Sequence, residues 1–386
     1  MKPLKIDHVR LTHVRVPLVE PFAISHAAIA DKDAILVEVF AEGLVGLGEA
    51  SPMAGTFYSS QTPESSWAVL TENLIPRLQQ TEKLTLSGRW LVGATDDPFA
   101  CCGLDGAMWD LAARARNRPL WALLGGDGQR EIPSGLAVGI HNTIEELLER
   151  IERYVAAHGY RRVKIKVKPG WDVQPLEAVR RRFGDVPLMV DANCAYGRQD
   201  IDHIASWDRF GLMMIEQPLA REDLEGHALL AARCHTPICL DESAETVEAV
   251  ERAVALNAAQ VVNIKLQRVG TMQSAKRIHD MTAAAGIGCW MGTMPELGVG
   301  ACAAMHFATL PNIVYPTDVE ASERWFVAEV TTPPVRCVDG LLVLPPGPGL
   351  GVSLNAEVVR RYRVREEIIQ VSCRLRPVLP PGIGSE

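Results

Sequence analysis

The stretch RRVKIKVKPG, residues 161–170, sets three lysines, Lys164, Lys166 and Lys168, alternating with Val163, Ile165 and Val167. A period of two is that of a β-strand, so the lysines share one face and the apolar residues the other. A half-exposed strand with its lysines in water would read the same way. What sets this one apart is that it belongs to a series.

Short β-rich runs recur along the middle of the chain, each followed by a polar turn and an amphipathic stretch. They are GLAVGI (135–140), RVKIKV (162–167), LMVDAN (188–193), LMMIEQP (212–218), ICLDES (238–243), VVNIKL (261–266), GIGCWMG (286–292) and NIVYPTD (312–318). Helical patterns such as TIEELLERIERYVAAHG and ETVEAVERAVALNA lie between them. Short apolar strands separated by helices belong to a parallel sheet. Eight such units predict a (β/α)8, TIM-like barrel. An open doubly wound sheet would want a GxGxxG turn after its first strand, which is missing.

The ionisable residues that interrupt these runs keep a constant interval. Lys166 to Asp191, Asp191 to Glu216 and Glu216 to Asp241 are each 25 positions apart, and Asp241 to Lys265 is 24. Each falls near the C-terminal end of a strand, and in a barrel those ends ring the mouth where active sites form. A single Asp there is ordinarily a helix N-cap and a single Lys is ordinarily solvated. Neither habit explains five groups in register, ordered Lys, Asp, Glu, Asp, Lys.

Three converging carboxylates call for a cation. All-oxygen ligation suits a hard divalent ion, so Asp191, Glu216 and Asp241 are the expected ligands of Mg²⁺, with Mn²⁺ or another divalent ion as substitute. Asn193 and Glu242 are expected to orient them. The lysines flank this centre. Neutralising a free lysine at pH 7 costs about 4.6 kcal/mol, and a nearby cation lowers that cost. Lys164, on the same strand face, is expected to keep Lys166 fit to take a proton. Arg268 is expected to tune Lys265 or to form an ion pair on its loop; Lys168 is expected to be solvated. A metal-bound carboxylate whose α-proton leaves becomes an ene-diolate. A base on each face permits racemisation, and a β-leaving group permits elimination.

The N-terminal part reads differently. KIDHVRLTHVRVPLV and AILVEVFAEGLVGLGEA form a β-meander pattern, followed by helical SSWAVLTENLIPRLQQ and GLDGAMWDLAARARNRPLWALLG. The expected division is an α+β unit over 1–128, the barrel over 129–320, and a Pro/Gly-rich segment over 321–386 that returns to the first unit and ends in a loose tail. A net charge of −8 with no basic stripe excludes nucleic acid as a partner. No apolar run approaches a membrane span, and the start, MKPLKIDHVR, has no signal-peptide core. Nine scattered cysteines without framework spacing point to reduced thiols and a cytoplasmic protein.

Together these residues resemble the enolase superfamily in its muconate-lactonising branch, and within it the o-succinylbenzoate synthase / N-acylamino acid racemase family. The motifs are GLGEA (46–50), AMWDLAAR (107–114), KIKVKPGWDV (164–173), VDAN (190–193), IEQPL (215–219), TPICLDES (236–243), NIKLQRVG (263–270) and GPGLGV (347–352). The resemblance implies a modified (β/α)7β barrel under an α+β capping domain, with Lys166 and Lys265 as acid/base groups on opposite faces. It implies a substrate pocket formed by Phe22, Met53, Tyr58, Trp290, Gly292 and Met294, a small-molecule carboxylate substrate and a homo-oligomer. The sequence departs from the family pattern at Leu266-Gln267, where Pro-Gly is expected, and at Pro295 and Ala301, the latter where many relatives carry Arg. A muconate-type cycloisomerase, a dipeptide epimerase using Asp318, and a non-catalytic metal-binding barrel are the alternatives.

Overall fold

A computed structural model describes residues 2–23, 28–55, 59–81, 84–91 and 93–379. The meander forms as the alternation requires: β1 (Leu4–Ala23), β2 (Ala28–Ala41) and β3 (Leu44–Ala50) pair antiparallel in sequence order. The sheet has the order β3-β2-β1-β16-β4, with β4 at Leu84–Thr85. Its fourth member, β16 (Arg363–Arg376), runs antiparallel to β1. It occupies the segment where the sequence suggested only a return and a loose end.

The helix Pro98–Ala115 is apolar on nearly every side and, Gly106 apart, buried from Phe99 to Ala113, as a helix between two layers must be. It lies directly on β3. A Cβ at Gly48 would sit 1.9 Å from the Gly103 carbonyl oxygen, so only glycine allows this approach.

The barrel strands are β5 (Leu136–Val138), β6 (Val163–Lys166), β7 (Leu188–Asp191), β8 (Ile215–Glu216), β9 (Ile238–Leu240), β10 (Val261–Ile264) and β11 (Gly288–Met291). They are parallel neighbours in that order. Thr143, Asp172, Asp223, Thr246 and Thr271 each cap the following helix through the side chain, giving each unit a sharp strand-to-helix start.

The eighth expected strand is not a regular one. Residues 312–318 close the ring by single parallel bridges, Ile313 to Cys289 on one side and Thr317 to Ser134 on the other. Pro316 lacks the N–H that a continuous ladder would need there. Four two-residue strands, β12 (Thr331–Thr332), β13 (Cys337–Val338), β14 (Leu341–Leu342) and β15 (Ser353–Leu354), pair outside both sheets. Among the described residues, no helix is long and apolar enough to cross a membrane.

Candidate active site

The two-residue period sorts the barrel residues. Val163, Ile165 and Val190 point outward into the core under the helices. Inside, Met189, Met214, Cys239, Val261 and Trp290 pack as an apolar floor. Two residues further along the same strands come Asp191, Glu216, Asp241 and Asn263, with Lys265 next in that series; on β6, Lys164 and Lys166 are two such inward positions. The ring at the mouth is therefore the next layer up from the floor.

Asp191, Glu216 and Asp241 are all buried, and one carboxylate oxygen from each lies within 4.8 Å of the others. Lys166 is the cross-strand partner of Asp191, and its Nζ lies 2.5 Å from Asp191 Oδ2 and 2.9 Å from Asn193 Oδ1. At the other end, Lys265 Nζ lies 2.8 Å from Asp241 Oδ2. The lysines thus stand at opposite ends of the acidic arc. Arg268 also grips Asp241, through the other oxygen, and its second nitrogen donates to the Asn263 carbonyl. It shares a carboxylate with Lys265 inside the barrel, where the sequence allowed a loop ion pair.

The supporting groups fall into place around the arc. Asn193 donates from Nδ2 to Glu242 Oε1 at 3.0 Å, and Asn263 donates to Glu216 Oε1 at 2.7 Å. Gly292 leaves room for it, since a Cβ there would sit 2.3 Å from the Asn263 amide oxygen and the Asn263 side chain would have to shift. Asn193 and Gln217 follow the strands that carry Asp191 and Glu216 with φ of 43° and 39°, a left-handed strain often found at functional sites. Gln217 Oε1 accepts from the Asp241 and Ser243 backbone N–H groups, a tie the sequence reading missed.

Burial raises the Glu216 and Glu242 carboxyls, and the neighbouring Asp191 charge raises both further. Asp191 is also desolvated, yet Lys166 and Lys164 hold it low. Glu242 Oε2 is buried without a hydrogen-bond partner. Three buried carboxylates converging with oxygen donors only, and Glu242 Oε2 left without a partner beside Asn193, fit a hard divalent cation.

Lys164 is almost fully buried and contacts Asp318, with Glu216 Oε2 at 3.2 Å. Burial would lower its pKa, but Asp318 and Glu216 outweigh that and raise it. Lys164 is a firm cation whose charge is largely answered by Asp318. Asp318 itself also pairs with Arg162 at 2.7 Å and is held well below the usual carboxylate range despite its burial. Both Asp318 oxygens are thus engaged by barrel cations. Lys168 is half-buried and closes a backbone turn with Trp171.

The expected pocket is only partly assembled from the named residues. Trp290 is fully buried beneath the ring, with Lys164 Nζ 4.8 Å and Arg162 5.2 Å from its ring centre and its Nε1 donating to Cys239. It is a floor residue, because its place on β11 is one inward layer below Gly292. Met294 is buried and gives its carbonyl to Lys32. Met53 is half-exposed after β3. Tyr58 and the Phe22 side chain lie outside the described residues. Cavities of about 400 and 610 Å³ occur elsewhere, against the capping sheet near Arg10 and Val359 and near Arg180 and Met213.

Residues 6–125 match the mandelate racemase / muconate lactonizing enzyme N-terminal domain, and residues 146–358 match the enolase C-terminal domain-like family. An o-succinylbenzoate synthase of Geobacillus kaustophilus is 41% identical over 93% of this chain and 96% of its own length. An N-succinylamino acid racemase of Amycolatopsis is 42% identical over 92% and 97%. A solved enolase-superfamily member from Listeria innocua superposes with a TM-score of 0.90 at 34% identity, covering 95% of this chain and 99% of that one.

Proposed function

Because the chain belongs to the mandelate racemase / muconate lactonizing enzyme family of the enolase superfamily, we propose that it is a Mg²⁺-dependent enzyme that takes the α-proton from a small carboxylate. The reaction is that of an o-succinylbenzoate synthase, an N-succinylamino acid racemase, or both, as in the relatives of those names. The observation that carries the reading is the pair of ammonium groups, Lys166 and Lys265, at the two ends of the Asp191–Glu216–Asp241 arc.

Asp191, Glu216 and Asp241 would hold the ion. A divalent cation there offsets the charge that a substrate carboxylate gains as its α-proton leaves. Lys166 and Lys265 do the proton work. One, neutral, takes the proton; the other, charged, returns one to the opposite face, which inverts the centre. In a dehydration, the ammonium formed by the first transfer is the acid that protonates the departing β-hydroxyl. Asn193 orients Lys166 and links it to Glu242. Arg268 fixes the Asp241 oxygen that Lys265 leaves free. Lys164, paired with Asp318, adds a fixed positive charge beside Glu216. The partner is a small molecule; a cytoplasmic setting and a homo-oligomer complete the reading. The division at 1–128, 129–320 and 321–386 belongs to it as well; the separate family matches over 6–125 and 146–358 support its first boundary.

The test is proton NMR in D₂O with Mg²⁺ over N-succinylamino acids, dipeptides and the succinylbenzoate precursor. Loss of an α-proton signal identifies an exchanging substrate, and a new aromatic spectrum identifies dehydration. No exchange and no elimination with any of them would sink the reading.

A further inference from the structure

The geometry points to Gln267 as a positioning residue, one that fastens the end of β3 to the turn carrying Lys265 and thereby fixes the base on one face of the substrate alone. This rests on the proton-transfer reading above.

Gln267 is 1% exposed. Its Oε1 accepts from the Ser51 backbone N–H at 2.9 Å, and its Nε2 donates to the Glu49 carbonyl at 2.7 Å. These two backbone groups flank Ala50, the last residue of β3. One side-chain amide therefore pairs with the strand end as a neighbouring peptide would. The same strand end is held from other directions. Lys32 Nζ donates to the Ser51 carbonyl at 3.2 Å, and the Glu49 carboxylate accepts from the Leu297 and Gly300 backbone N–H groups at 2.8 Å each. The chain leaving this anchor runs through Pro52 to Met53, one of the expected pocket residues.

Gln267 lies on the single turn Leu266–Val269, which Lys265 begins. The Lys265 carbonyl accepts from the Arg268 and Val269 N–H groups at 3.1 and 3.0 Å. Three successive functions thus share one rigid turn: a base at Lys265, a tie to the cap at Gln267, and a grip on Asp241 at Arg268. A shift of this turn moves the Lys265 ammonium. Lys166 is held separately, by Asp191 and Asn193. A residue that merely bonded cap to barrel would not distinguish the two lysines. A residue that aims the Lys265 turn must.

The experiment compares α-proton exchange of the two enantiomers of one N-succinylamino acid, with Mg²⁺ in D₂O. The enantiomer served by Lys265 is identified as the one whose exchange is lost in Lys265→Ala. Gln267→Leu removes both hydrogen bonds. Gln267→Gly also removes them but lets water reach the two backbone groups, so one of the pair remains folded enough to assay, as judged by its melting curve. Exchange of the Lys265 enantiomer is expected to fall roughly tenfold or more relative to the other, since small misplacements of a reacting group are costly. Equal slowing of both enantiomers, or of neither, would overturn the inference and leave the function standing. No exchange of any N-succinylamino acid by the unaltered protein would overturn the inference, and the function falls with it only if the succinylbenzoate precursor is not dehydrated either.

Discussion

Lys166 and Asp191 are register partners on neighbouring parallel strands, and the ammonium of one lies 2.5 Å from the carboxylate of the other. The proposed base and the proposed metal ligand are therefore in direct contact, so anything that alters one is felt by the other.

Lys166→Ala is expected to lower α-proton exchange by at least about 10²–10⁴, the usual worth of a positioned base. It also removes a cation that competes for Asp191. Magnesium affinity, measured by calorimetry, should hold or rise. Near-normal turnover would remove Lys166 from its role.

Asp191→Asn and Glu216→Gln each take one charge from the arc. Both are expected to weaken magnesium binding strongly and to abolish turnover unless the ion is in large excess. The same dependence should appear on treating the unaltered protein with a chelator, with activity returning on adding Mg²⁺. A saturating ion also raises the melting temperature, corresponding to about 2.7 kcal/mol at a hundredfold excess over Kd. A melting curve indifferent to Mg²⁺ would contradict the assigned ligands.

Asp105 is buried in the helix Pro98–Ala115, where its carboxylate accepts from the Met272 backbone N–H at 2.8 Å. Burial pushes its pKa up to about 7. Folding thus takes up a proton between the unfolded carboxyl's range, near 4, and pH 7, and the stability present below that window is lost as pH rises through it. Asp105→Asn keeps an acceptor without a charge. It should melt higher than the unaltered protein at pH 8, by the equivalent of up to about 4 kcal/mol, with the advantage vanishing near pH 4. Equal curves at both pH values would refute the assignment.

Gly48→Ala places a methyl 1.9 Å from the Gly103 carbonyl oxygen, so β3 and the helix must move apart. A loss of roughly 1–3 kcal/mol is expected, or more if the shift reaches Glu49. Urea denaturation measures it, and an unchanged midpoint would show that the contact is soft.

Much of this was legible because the barrel repeats. An interval of 25 residues places Lys166, Asp191 and Glu216 at the last residue of three successive strands and Asp241 and Lys265 one position past two more. The alternation in residues 4–50 likewise gave the meander. The irregular features were not legible. Residues 312–318 read as a strand, but Pro316 breaks the ladder. β16 was hidden because RVREEIIQVSCRLR is mostly exposed and highly charged, so its apolar period is faint. Trp290 looked like a pocket residue because a motif shows proximity to the ring in sequence but not which layer a side chain joins. Gln217, Gln267 and Lys32 act through backbone groups of distant segments, and no local pattern announces that kind of partner.

Lys32 is almost wholly enclosed, with its ammonium divided between the Ser51 and Met294 carbonyls at 3.2 and 2.8 Å. One of those carbonyls comes just after the end of β3 and the other belongs to the segment after β11. Burial lowers the Lys32 pKa while Glu49, Glu296 and Asp33 oppose that, and drawing the cap away would break its bond to Met294. One side chain thus rivets the capping sheet to the barrel, so a disturbance on one side of the joint is carried to the other.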